Sequence, residues 1–102
     1  MTAFPEHRES TTAVFETLYA QHHRAVLAYC ARRTASDEAW DAAAEVFLVA
    51  FRRLEVVPEG DGALPWLLAV ARRVLANQRR GDQRRRRLIV RASGHPSTEE
   101  SP

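Results

Sequence analysis

The sequence predicts an all-α fold, a small three-helix bundle, and three observations carry that reading. Apolar residues recur at three- and four-residue spacing in three separate stretches, the pattern of helices with one buried face. Glycine and proline are sparse, 4 and 5 among 102 residues, and Pro58, Gly60 and Gly62 fall between two of those stretches. No alternating apolar and polar run competes as a strand. Hydrophobic residues make up 45% of the chain, enough for one core, and the length suits one domain or part of a larger protein.

The elements follow in order. Residues 1–10 lack periodicity and are expected to form a flexible arm. Ser10, Thr11 and Thr12 can each cap the helix that follows. Phe15, Leu18, Tyr19, His22, Val26 and Tyr29 then share one face, and this helix should run to about Arg33. Arg32 and Arg33 in its last turn complement the negative end of the helix dipole. Ser36 is a good N-cap for the second helix, with Asp37 and Glu38 in its positive first turn. That helix carries Ala39, Ala42, Ala43, Val46, Phe47, Ala50, Phe51 and Leu54 on its core face, small residues first and large ones later. Asp41, Glu45, Val49 and Arg52 lie off the stripe, toward solvent or a partner.

The segment Val57-Pro58-Glu59-Gly60-Asp61-Gly62 is dense in turn residues and ends the second helix. Pro65 suits the first position of a third helix, whose buried face is Trp66, Leu67, Val70, Ala71, Val74 and Leu75. Trp66 is expected at the core or at the junction of helix and loop. Gly81 costs that helix about 1 kcal/mol, so its arginine-rich end is expected to fray. After Leu88 the chain is polar and aperiodic, which predicts a linker or disordered tail over 89–102 and places the folded domain at 11–88.

Charge is distributed unevenly. Between Arg72 and Arg91 there are nine arginines and one acid, Asp82, although the whole chain is only +2. Residues 1–71 hold six arginines against ten acids. One strongly positive end points to a polyanion, with nucleic acid first among candidates. Arg72, Arg79 and Arg86 form one seven-residue stripe, and Arg73, Arg80, Arg84 and Arg87 form an adjacent one. Lysine is absent throughout, so the position of the arginines says more than their identity.

Other function classes find little support. No nucleophile–base pair, phosphate-cradling glycine loop or dry carboxylate dyad is recognisable, so the chain is expected to bind rather than catalyse. The single Cys30 forbids an internal disulfide and a multi-cysteine metal site, and it reads as a small buried side chain. His22 and His23 are adjacent and cannot form an i, i+4 metal pair; His22 is expected at the core edge and His23 in solvent. No metal or cofactor is expected. No stretch reaches the roughly 18 apolar residues of a membrane span and no signal-peptide pattern opens the chain, which suggests the cytoplasm and no membrane partner.

With these motifs placed, residues 13–88 resemble region 2 of the sigma-70 superfamily, in particular its extracytoplasmic-function group. There an acidic-capped helix of the form D-x-x-Q-E-V-F-L-x-A-W follows a first helix like VFETLYAQHHRAVLAYCARR. Its counterpart here runs from Asp41 through Glu45-Val46-Phe47-Leu48 to Phe51, with Ala44 in place of the glutamine. The group's third helix reads W-L-x-x-I-A-R-N, then an aspartate and arginines. Here Trp66-Leu67-Leu68-Ala69-Val70-Ala71-Arg72-Arg73 is followed by Asn77, Arg79 and Arg80, so Arg73 and Asn77 depart from the pattern.

The resemblance implies roles. Asp41, Ala44, Glu45 and Leu48 would hold core RNA polymerase at the clamp helices of its largest subunit. Trp66, Arg72, Arg73, Asn77, Arg79, Arg80 and Arg84 would meet promoter DNA. The loop Glu59, Gly60, Asp61 and Gly62 would wall a pocket for a base of the minus-ten non-template strand, because glycines let backbone approach a base closely. The group also carries a second helical domain that reads the upstream promoter element; this sequence stops in the linker where that domain would begin, so it is expected either to be a fragment or to lack that domain. Two other readings stand beside this one: a general nucleic-acid-binding module, and a sigma-like domain that mainly binds an anti-sigma factor.

Overall fold

The computed structural model describes the backbone of residues 3–93 and the side chains of residues 10–92. Among them are three helices and no strand: α1 (Ala3–Ala31), α2 (Ser36–Arg52) and α3 (Ala63–Ser93). Two short 3₁₀ turns, Leu54–Val56 and Gly60–Gly62, join α2 to α3. Each helix packs against both others, as a three-helix bundle requires. No helix among the described residues is long and apolar enough to cross a membrane.

The helix boundaries differ from expectation in instructive ways. α1 begins at Ala3, so Ser10, Thr11 and Thr12 lie inside it and not at its cap. Nothing from Ala3 to Thr12 breaks a helix, since Pro5 occupies the first turn, where its missing N–H is tolerated. Of the expected arm, residues 1–10, the backbone from Ala3 onward is helical, while the side chains of residues 1–9 and the tail from Gly94 onward lie outside the described residues. At the other end, the Arg33 side chain donates from Nη1 to the Tyr29 carbonyl at 2.9 Å and lies 3.6 Å over the Tyr29 ring. A helix-end carbonyl thereby gains a cationic donor.

α2 starts one residue earlier than its expected cap would allow. Ser36 is already helical, and Ala35, in extended conformation, occupies the cap position without a side-chain bond. The Asp37 carboxylate accepts from the Glu38 N–H at 3.0 Å, and Thr34 Oγ1 donates to Glu38 Oε1 at 2.6 Å. Acids at the positive end of the dipole do the stabilising that a serine cap was expected to do.

The core is formed by Leu18, Val26 and Cys30 of α1, the alanines and Val46 and Phe47 of α2, and Ala63, Leu67, Val70, Ala71, Val74 and Leu75 of α3. Burial of each leucine or valine contributes on the order of 1.5–3 kcal/mol. Ala39, Ala42, Ala43 and Ala50 are all buried, so α2 lies close against its neighbours as its small residues suggested. No polar or charged side chain is buried among the described residues. Cys30 is fully enclosed, and burial pushes its thiol pKa up, with a smaller opposing pull from Arg33.

Four side chains depart from their expected surroundings. Phe51 and Tyr19, both assigned to buried faces, are 48% and 45% exposed. They sit at the rim of the α1–α2 contact, where Phe51 meets Phe15 edge-on at 5.2 Å and Tyr19 meets Phe47 at 4.9 Å. His23, expected in solvent, is half-buried and stacks on Tyr19 at 4.8 Å, its Nδ1 bonded to the Tyr19 carbonyl at 3.0 Å. Val49, expected to face outward, packs partly against the core. Trp66 is half-buried against the core, as the junction reading required.

The largest difference is in α3. It neither frays at Gly81 nor stops at Leu88, and the helix continues to Ser93. A glycine costs only about 1 kcal/mol, and no breaker follows it. The Arg85 guanidinium bridges to Asp82 at 2.6 Å across one turn and braces the helix just beyond the glycine. From Ala76 onward no described residue of α3 is buried, so about 27 Å of helix runs on past the core.

Candidate functional site

The continuity of α3 gives its arginines a defined orientation. A helix repeats its direction every eighteen residues, about five turns. Arg85 follows fully buried Leu67 by that interval, and exposed Leu88 and Ile89 follow Val70 and Ala71 by it. The core-facing stripe therefore continues past the bundle as Arg85, Leu88 and Ile89. The other eight arginines, Arg72, Arg73, Arg79, Arg80, Arg84, Arg86, Arg87 and Arg91, all point at least about 100° away from its centre line through Leu67 and Arg85. They are exposed, and together they form a single cationic face along the helix.

Only Arg85 among the nine is ion-paired within the described residues, and it is the one off that face. Arg80 donates from Nη2 to the Asn77 side-chain oxygen, which holds its guanidinium in place without neutralising it. The pairing of Arg85 with Asp82 leaves the face free of its one local acid. Such an arrangement suits the phosphates of a nucleic acid, to which arginine donates in a planar fork.

α2 presents two different strips outward. Asp41 and Glu45 border an open groove of about 370 Å³ with Val74, Asn77 and Gln78 of α3. On the opposite flank, Ala44 lines a shallow cleft with Tyr19, His23, Leu27 and Trp40. Trp40 is 64% exposed, and Leu48 and Phe51 are also exposed. Of the four residues assigned to polymerase, Asp41 and Glu45 border α3, Ala44 borders α1, and Leu48 is exposed on the outward face between them. Asn77, assigned to DNA, borders this groove with Asp41 and Glu45 and also accepts from Arg80 at the edge of the cationic face.

The connection between α2 and α3 forms the wall of a third feature. A pocket of about 490 Å³ opens between α1 and this connection, and Glu59 and Gly60 line it with Val14, Thr17, Gln21 and Glu55. Gly60 adopts φ 62°, the left-handed region that favours glycine, and an added Cβ there would meet nothing within 4 Å. Gly62 is required for a different reason: a Cβ would come within 2.9 Å of Pro58 Cβ. Asp61, Gly62 and Trp66 do not line the pocket, so the expected base-pocket loop is brought there only in part. No group of three or more potential metal ligands occurs among the described residues.

Residues 18–85, about two thirds of the chain, match the family model for sigma-70 region 2. The chain belongs to this family. No curated protein and no solved structure matches it. Region 2 is a domain of transcription initiation factors, and it binds RNA polymerase and recognises promoter DNA in general. The region 2 match covers the second half of α1, α2, the pocket-forming connection and the first three quarters of α3. Arg86, Arg87 and Arg91 extend the cationic face beyond it, and Ser10 to Thr17 of the pocket wall precede it.

Sequence reading missed Trp40, Phe51 and the α1 wall of the pocket. A signal for the wall was present, since Ala13, Thr17 and Gln21 recur at four-residue spacing as a small and polar strip. Nothing in the sequence said which segment would face that strip.

Proposed function

We propose that this region 2 domain holds core RNA polymerase with α2 and captures the non-template strand of the minus-ten element with the α2–α3 connection and α3, in the cytoplasm, so that promoter DNA can open. The observation that carries this reading is the eight-arginine face of α3 leading away from a pocket that contains no cation. Phosphate contacts fix register and give affinity, while base contacts give specificity. Taking a base from the stack costs a few kcal/mol, which contacts to polymerase and along the arginine face would offset. Arg72, Arg73, Arg79, Arg80 and Arg84 serve the backbone of the strand. Asp41, Glu45, Ala44 and Leu48, joined by Trp40, serve the clamp helices of the largest subunit.

The apolar strip Trp40, Leu48 and Phe51 also suits an anti-sigma factor, which would then compete with polymerase.

Two binding measurements test the reading. Immobilised protein should retain core polymerase, and it should prefer a single-stranded minus-ten non-template oligonucleotide over its scrambled sequence. Asp41→Arg should weaken polymerase retention and spare the oligonucleotide, while Arg72→Ala with Arg80→Ala should do the reverse. Equal binding of scrambled DNA without polymerase retention would leave a general nucleic-acid binder instead.

A further inference from the structure

We infer that the pocket between α1 and the α2–α3 connection selects a base bearing an exocyclic amine, adenine, cytosine or guanine, against thymine, through Glu59 with Gln21 and Thr17 of α1. The inference rests on the reading of this connection as the base-capturing element, and it adds residues and a chemical preference to it.

The pocket's charge comes first. It is lined by two carboxylates, Glu55 and Glu59, and by no arginine or histidine. A phosphate is repelled there, so the part of a nucleotide that can enter is the base. The phosphates have their own partners nearby, since Ala63 in the pocket lining and Arg72 on the cationic face are nine residues apart on α3, about 14 Å along its axis. A strand with one base in the pocket reaches the arginines within a few nucleotides.

The shape and polarity of the lining come next. Val14, Leu18, Val57 and Pro58 offer apolar walls for the faces of a ring. The polar groups are Glu55, Glu59, Thr17, Gln21 and Ser10, so hydrogen bonding falls to a base edge. Open space and left-handed backbone at Gly60 let that edge approach the main chain. An ionised carboxylate only accepts hydrogen bonds. Adenine, cytosine and guanine each present an amine donor on an edge that an unpaired base exposes, whereas thymine presents two carbonyls around a single N–H. Thymine therefore sets oxygen against oxygen at Glu59, and the amides and hydroxyls of α1 can compensate only in part.

The test uses the full chain, alone and with core polymerase. Each position of the minus-ten non-template oligonucleotide is replaced in turn by the other bases, and affinity is read by fluorescence anisotropy. At one position thymine should weaken binding by about five- to tenfold relative to an amine-bearing base, the low end of what one well-made base contact gives. Glu59→Gln can donate to a thymine carbonyl, so it should shrink that ratio toward one. Ala13→Trp, at an exposed position in the pocket lining, should fill the pocket and abolish the ratio while keeping the salt dependence set by the arginines. A preference for minus-ten over scrambled DNA that tolerates thymine everywhere, or that survives in both variants, overturns this inference and leaves the proposed function standing. The absence of base preference at every position overturns both.

Discussion

The arginine face makes a prediction that a count of charges cannot make. Arg80 and Arg85 are both exposed and lie five residues apart on α3, but only Arg80 is on the cationic face. Arg85 continues the Leu67 stripe and is paired with Asp82 at 2.6 Å. Each phosphate neutralised on single-stranded DNA adds about 0.7 to the slope of log affinity against log salt. Replacing Arg72 and Arg80 by alanine removes two such contacts, so the slope should become shallower by about 1.4. Between 50 and 200 mM salt the double variant should lose affinity roughly sevenfold less steeply than the parent. Arg85→Ala removes the same formal charge as either single change, yet its slope should stay near that of the parent. Its ion pair is solvent-exposed and worth only a few tenths of a kcal/mol, so the fold should barely notice. The assay is anisotropy of a labelled oligonucleotide over a salt series, with helicity checked by circular dichroism. If Arg85→Ala flattens the slope as much per charge as the Arg72 and Arg80 changes, orientation is irrelevant and the argument from a single face is wrong.

Stability and chemistry supply the other expectations. Leu67→Ala should cost roughly 2–5 kcal/mol in urea unfolding, because its side chain is fully enclosed, whereas Leu88→Ala beyond the bundle should cost under about 1 kcal/mol; equal losses would mean that the end of α3 is covered. Gly81→Ala should raise helicity and stabilise α3 by up to about 1 kcal/mol, since a Cβ there meets nothing within 4 Å; a loss of helicity would contradict the continuous helix. The folded Cys30 thiol titrates above its ordinary range, so its contribution to stability is complete below the unfolded pKa and is lost as pH rises through the folded one. Unfolding followed from neutral to alkaline pH should show that decline, and Cys30→Ala should remove this part of the pH dependence at a separate cost for the cavity.

Much of the fold was legible because helices announce themselves locally. The alanine and valine stripe of α2 and the Leu67 to Leu75 stripe of α3 were read at the right spacing, and both are buried. Boundaries were less legible. The end of α3 was misjudged at Gly81 because a penalty of about 1 kcal/mol is small beside the cooperativity of a long helix, which needs a true breaker to stop. Phe51 and Tyr19 were misjudged because periodicity gives a direction but not how far a neighbour extends to cover it.

The candidate site divides in the same way. By itself the sequence determined the helical class, the family and the concentration of positive charge between Arg72 and Arg91, all of which depend on residue type and short-range spacing. The structure decided that Arg85 stands apart from the other eight arginines, since only an unbroken α3 carries the Leu67 stripe through Gly81 to Arg85 and pairs it with Asp82. Tertiary structure alone set Asp41 and Glu45 beside Asn77, and it alone closed a pocket between Gln21 and Glu59, which lie thirty-eight residues apart in the chain. Contacts across such separations follow from how three helices pack, and no local pattern encodes them.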